Sequence, residues 1–182
     1  MKNLSAPIFY LFIYCFLFHS CRKQKNDEQL PAATQLGANT FGCLINGKVW
    51  IPTGRGAGSG IYPTSGGFFG TPDGKRNIYI QAYSDNDNIE IYLKQIYQTG
   101  TYYLNKNTGI RPNFIYPESY GAYLINGGSY SVTDSIHNGI VRITYADTTT
   151  GIVSGTFEFT AKNIQTGELI NIKDGRFDYK TH

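Results

Sequence analysis

The residues best equipped for chemistry are few, and their spacing argues against most of it. Apart from His19 in the leading segment, the chain has only His137 and the terminal His182. A multi-histidine zinc site and a histidine-assisted nucleophile therefore lack their ligands and base, and His137 beside Asn138-Gly139 reads as a solvated turn residue. Asp85-Asn86-Asp87-Asn88-Ile89-Glu90 opens like a calcium loop. However, Glu90 and Ile96 stand where such a loop needs Gly and Glu, so a polar turn is expected. Gly42 to Val49 nearly spells a phosphate-binding loop, but Val49 follows Lys48 where a hydroxyl should hold magnesium. Gly54 to Gly60 has glycine at alternate positions, which is not a dinucleotide fingerprint. No catalytic residue, metal or cofactor is expected from these motifs.

Two sets of residues remain. Glu90, Glu158 and Glu168 are the carboxylates from which a glycosidase pair would have to come, about 5 to 10 Å apart. Strand alternation puts Glu90 and Glu158 on outward faces. The other set is tyrosine, of which the chain has 15. Tyr79, Tyr83 and Tyr92 fall opposite an apolar stripe on what reads as one hairpin. They are expected to form a cross-strand aromatic ladder, and they are the candidate ligand-binding residues, because exposed rings with hydroxyl tips combine stacking with hydrogen bonding.

The elements that must position these residues are strands. Ile78, Ile80 and Ala82 alternate with Tyr79, Gln81 and Tyr83. Ile89, Ile91 and Leu93 alternate with Glu90, Tyr92 and Lys94. The same period of two runs through Val141 to Tyr145, Phe157 to Ala161 and Ile170 to Lys173. Further strands are expected at 41–45, 48–52, 101–105, 121–126 and 129–134. Asn46-Gly47, Asp73-Gly74, Asn126-Gly127, Asn138-Gly139 and Asp174-Gly175 accept the positive φ of tight turns. The stretches 53–67 and 106–120 read as long loops. The expectation is an all-β domain, an antiparallel β-sandwich or flattened barrel of about ten short strands.

The N-terminus follows other rules. Lys2 precedes an unbroken apolar run from Ile8 to Phe18, too short to span a bilayer and of signal-peptide length. It ends at Leu17-Phe18-His19-Ser20-Cys21, which resembles a bacterial lipobox, and the chain turns polar at once. Residues 1–20 are expected to be a lipoprotein signal peptide, 21–36 the lipidated Cys21 and a flexible polar tether, and 37–182 the β domain. Two acyl chains on Cys21 would anchor firmly at about 0.8 kcal/mol per buried methylene. Cys15 would leave with the signal, and Cys43, alone in the domain, is expected to be a buried free thiol. Without Lys2 the balance is 15 basic to 13 acidic residues, or +2, which gives no footprint for nucleic acid.

Gly155 to Ala161, Asp174 to Asp178, and Leu30 to Gln35 leading into Thr40 to Trp50 together resemble a family of small Bacteroidota lipoproteins known as a domain of unknown function. The resemblance implies an outer-membrane or periplasmic location and an all-β domain, so that the expected place is the cell envelope, lipid-anchored at the outer membrane and facing the periplasm or the surface; it carries over no catalytic residue. The leading expectation is a non-enzymatic binding or accessory module, anchored to the membrane and contacting a glycan or envelope protein. A glycan hydrolase with paired carboxylates and a purely structural lipoprotein are the alternatives.

Overall fold

A computed structural model of the chain describes residues 29–53, 63–70, 74–106, 118–125 and 128–181. Among them there is no helix, and eleven antiparallel strands build one curled, half-barrel sheet. The strands are β1 (Thr40–Ile45), β2 (Lys48–Trp50), β3 (Thr64–Gly70), β4 (Arg76–Tyr83), β5 (Asp87–Leu93), β6 (Gly100–Leu104), β7 (Tyr120–Ile125), β8 (Ser129–Val132), β9 (Gly139–Asp147), β10 (Ile152–Asn163) and β11 (Leu169–Lys180). Their order is β2-β1-β11-β10-β8-β7-β5-β4-β3. The sheet forks at β10: Ile152 to Phe159 pair with β9, which carries β6, while Lys162 and Asn163 pair with β8.

The period-two stripes explain the curl. Ile78, Ile80 and Ala82 of β4, Ile89, Ile91 and Leu93 of β5, and Phe157, Phe159 and Ala161 of β10 all face inward and join one buried core. Each fully buried aliphatic or aromatic side chain contributes roughly 1.5–3 kcal/mol, so folding the sheet on itself is favoured over leaving the stripe wet. Side-chain bonds draw the edges together. Thr181 Oγ1 accepts from Phe68 N at 3.2 Å, Tyr179 OH donates to Gln81 O at 2.9 Å, and Trp50 Nε1 donates to Asp87 Oδ1 at 2.9 Å.

Several boundaries differ from the sequence reading. Asn46-Gly47 does make the β1–β2 turn, with φ of 49° and 80°. Asp174-Gly175 does not turn the chain. It sits inside β11, where Asp174 has φ of 50° and the register with β10 slips between Phe157 and Phe159. The pair makes a bulge, and Gly175 is required because a Cβ there would lie 2.5 Å from the Phe157 ring. β3 occupies part of the stretch read as the 53–67 loop: glycines dilute its alternation, and only pairing with β4 reveals it. Asp73, Asn126-Gly127 and residues 107–117 lie outside the described residues, as do residues 1–28 with Cys21.

Residues 30–38 form a strap across the outer side of β1 and β11. Pro31 packs over Gly42, where a Cβ would come within 2.6 Å of its Cδ, and Arg176 Nη1 donates to Pro31 O at 3.2 Å. Further along, Asp178 holds the strap. Its carboxylate accepts from Thr34 Oγ1 (2.6 Å), Leu36 N (3.0 Å), Gly37 N (2.8 Å), Ala38 N (3.1 Å) and Ser154 Oγ (2.6 Å). The segment read as tether is thus docked on the domain by Leu30, before Gly37 is reached.

Candidate binding face

Outside the curl, β3, β4, β5, β7 and β8 present a second face. Odd-numbered residues of β3 and β4 and even-numbered residues of β5, β7 and β8 point away from the core, because directly paired residues of antiparallel strands share a side. Three rows result. The first is aromatic: Tyr79 pairs with Tyr92 and Tyr92 with Tyr120. The ring centroids are 6.5 Å apart in the first pair and 5.8 Å in the second, which is stacked. Phe69 of β3 ends the row, edge-on to Tyr79 at 6.3 Å and 5.8 Å from Tyr92.

The second row is polar, running Gln81–Glu90–Ala122–Val132. Gln81 Nε2 donates to Glu90 Oε1 at 2.9 Å, Tyr120 OH donates to Glu90 Oε2 at 3.3 Å, and Tyr83 OH donates to Gln81 Oε1. Glu90 is only 4% exposed, so these bonds replace the water a buried carboxylate would otherwise lose. The third row is Tyr83–Asn88–Leu124–Tyr130.

The three tyrosines read from the sequence therefore lie on one face, but their exposures differ. Tyr79 and Tyr83 are half-buried, whereas Tyr92 is 2% exposed, walled by the rings of Phe69, Tyr79 and Tyr120. Burial, and then the charge of Glu118, raises the Tyr92 hydroxyl above its ordinary pKa. Tyr92 is the floor of the face and not a stacking surface. Tyr120 and Phe69 were missed by sequence reasoning because both fall where the chain reads as loop or follows a glycine run. Gln81 was legible in the β4 alternation, but its link to Glu90 needed the register.

Glu90 and Glu158 do not pair. Along the rows, Glu90 is three strand spacings from Lys162 of β10, and Glu158 is four residues further along. At about 4.8 Å per strand and 3.3 Å per residue, the separation is roughly 20 Å along the sheet, beyond a glycosidase pair. Glu158 instead accepts from Lys173 Nζ at 3.3 Å. Asp87 and Glu90 face opposite sides of β5. Asp87 turns inward to accept from Trp50 and, at 2.6 Å, from Tyr123 OH. Cys43 lies fully buried in the core, its thiol pushed up to about 12 by burial and then by the Asp87 charge. His137 Nδ1 lies 3.0 Å from Asp134 Oδ2, and Asp134 caps its turn by accepting from Ile136 N and His137 N.

Comparison with curated proteins and with solved structures returns no match. A family model matches residues 70–179, or 110 of the 182 residues. That span takes in β4 to β10, most of β11, and the Gly155 to Asp178 segment that carried half of the sequence resemblance; Leu30 to Trp50 falls outside it. With more than half its length matched, the chain belongs to the domain of unknown function family DUF6252.

Proposed function

We propose that the chain is a lipid-anchored domain of the bacterial cell envelope that binds a glycan through the outer face of β3, β4, β5 and β7 without cleaving it. One observation carries this reading: half-buried rings at Phe69, Tyr79 and Tyr83 stand beside a hydrogen-bonded Gln81–Glu90 row, braced from beneath by Tyr92 and Tyr120. A braced ring is held in place before a ligand arrives, which reduces the ordering cost of binding. The anchor is Cys21, placed where the apolar run meets a polar segment.

The test has two parts. Cells labelled with a fatty-acid analogue should mark the chain but not its Cys21→Ala variant; equal label on both would remove the anchor. The purified protein should bind at least one envelope or dietary polysaccharide. Tyr79→Ser with Tyr83→Ser should weaken that binding at least tenfold, whereas each change should cost only a few tenths to about 1 kcal/mol of stability as a lost cross-strand pair. Absence of binding across the screen, or release of reducing sugar, would overturn the reading.

A further inference from the structure

Exposed apolar side chains gather near one end of the sheet. Among the described residues, Ile125, Ile136, Ile164 and Leu169 are 43% to 79% exposed. Ile125 ends β7, Ile136 lies between β8 and β9, and Ile164 and Leu169 bound the β10–β11 turn. The tips are neighbours. Ile125 pairs with Ser129, whose Oγ accepts from Asn163 Nδ2 at 2.8 Å, and Ile164 N donates to Tyr130 O at 3.3 Å. Leu169 pairs with Lys162. Asp134 lines one groove with Lys162, Ile164 and Gln165, which sets the Ile136 turn beside the β10–β11 turn. Single apolar residues on a surface are ordinary, whereas a group of them marks a contact.

Local hydrogen bonds hold these tips. Asn163 Oδ1 accepts from Gln165 N and Thr166 N, both at 2.9 Å. Asp134 Oδ1 accepts from Ile136 N at 2.7 Å and from His137 N at 2.6 Å. Each turn closes on its own polar side chain, and its isoleucine is left facing solvent.

The strap points to what lies opposite this end. It runs in the same direction as β11, from Pro31 beside Arg176 to Gly37 beside Lys180, so its entry points back toward Leu169. Seven residues of β11 separate Arg176 from Leu169, about 23 Å along the strand. Ten residues separate Cys21 from Pro31, a reach of at most about 36 Å extended and roughly 17 Å on average for a flexible chain. A lipid on Cys21 therefore keeps a bilayer within reach of the four tips, on the side from which the strap enters. Contact with that bilayer is intramolecular once the chain is anchored, so a small apolar patch suffices to hold it.

We infer that Ile125, Ile136, Ile164 and Leu169 insert into the lipid surface that holds Cys21. The domain then stands on its β7–β8, β8–β9 and β10–β11 connections, with the β9–β10 turn pointing away. Such insertion strengthens with the apolar area it buries. The inference rests on the Cys21 anchor proposed above and is independent of the glycan face.

The full-length protein, purified from cell membranes and reconstituted into phosphatidylethanolamine–phosphatidylcholine vesicles, tests it. An environment-sensitive fluorophore is attached through Gln165→Cys or Thr148→Cys, both exposed positions at opposite ends of the strands, and brominated lipids serve as the quencher. Quenching should be at least twofold stronger at the Gln165→Cys probe. Ile136→Ser with Leu169→Ser should cut that quenching by half or more with an unchanged melting point, since both side chains are exposed. Equal quenching at the two probes, none at either, or quenching that survives the two serine changes would overturn the inference and leave the anchor standing. Shielding of the Gln165→Cys probe that rises with protein concentration and not with lipid would also overturn it, by assigning the patch to a second copy of the chain. A protein absent from the membrane fraction would overturn the anchor, and this contact with it.

Discussion

Asp178 and Glu90 occupy equivalent kinds of position and meet different fates. Both stand on the outer side of the sheet, and both are buried, at 1% and 4% exposure. Asp178 is covered by the chain's own strap, and backbone N–H groups supply three of its donors. Glu90 is covered within an aromatic face, and the side chains of Gln81 and Tyr120 donate to it. A backbone cage fixes one geometry and closes it to anything else. A side-chain network can exchange donors with a ligand. The contrast sets a fastened half of the outer surface beside the half that carries the proposed binding face.

The largest effect expected is on the aromatic side. Tyr92→Ala removes the ring that Phe69, Tyr79 and Tyr120 all touch, and should destabilise the domain by about 3 kcal/mol, the usual range for truncating a buried aromatic. Urea unfolding measures it, and a loss below about 1 kcal/mol would mean that Tyr92 is not the floor of the face. Asp178→Asn comes next, at about 2 kcal/mol, because the amide sets an N–H group against donors that need an acceptor. Hydrogen exchange should show Leu36 to Ala38 losing protection together.

Acid should do the same work without mutation. Burial alone would raise the Asp178 carboxyl. The bonds from Ser154, Thr34, Leu36 and Ala38 outweigh burial and lower it from 3.8 to about 2. Its contribution is therefore complete above about pH 4 and is lost as pH falls toward 2, roughly 2 kcal/mol in all. The Asp178→Asn variant should show a flatter stability profile across that window.

Glu90→Gln sharpens the comparison by being mild. Glutamine keeps an acceptor within the network, so the cost should stay under about 1 kcal/mol; a cost matching that of Asp178→Asn would erase the distinction between cage and network. The smallest effect is on Cys43. Its thiol should resist alkylation in the native protein and react as one free thiol only in denaturant.

Much of this was legible in the residues. The alternation at Ile78 to Tyr83 and Ile89 to Lys94 gave the strands, their inner stripe and the side on which the tyrosines lie. Three things were not legible, each for a physical reason. Gly66 and Gly67 erase the period in β3, so Phe69 had no strand to belong to until β4 paired with it. Asp174-Gly175 has the composition of a turn, and only the partner strand makes it a bulge. Above all, outward does not mean wet: alternation reports which side a residue faces, while strap and neighbouring rings decide whether water reaches it. Glu90, Tyr92 and Asp178 all turn on that second question.

The strap also sets how the domain would bear a mechanical load. It runs from Pro31 beside Arg176 to Gly37 beside Lys180, alongside β11 and opposite in direction to β1. Tension applied at Gln29 would arrive parallel to the strands, in shear. The bonds that Asp178 accepts from Thr34, Leu36, Gly37 and Ala38 would be strained together instead of being peeled one after another. Forced unfolding is governed by the unfolding rate and not by equilibrium stability. Removing that carboxylate should therefore lower the rupture force at Gln29 more than it lowers the force for a pull applied at the β1–β2 turn.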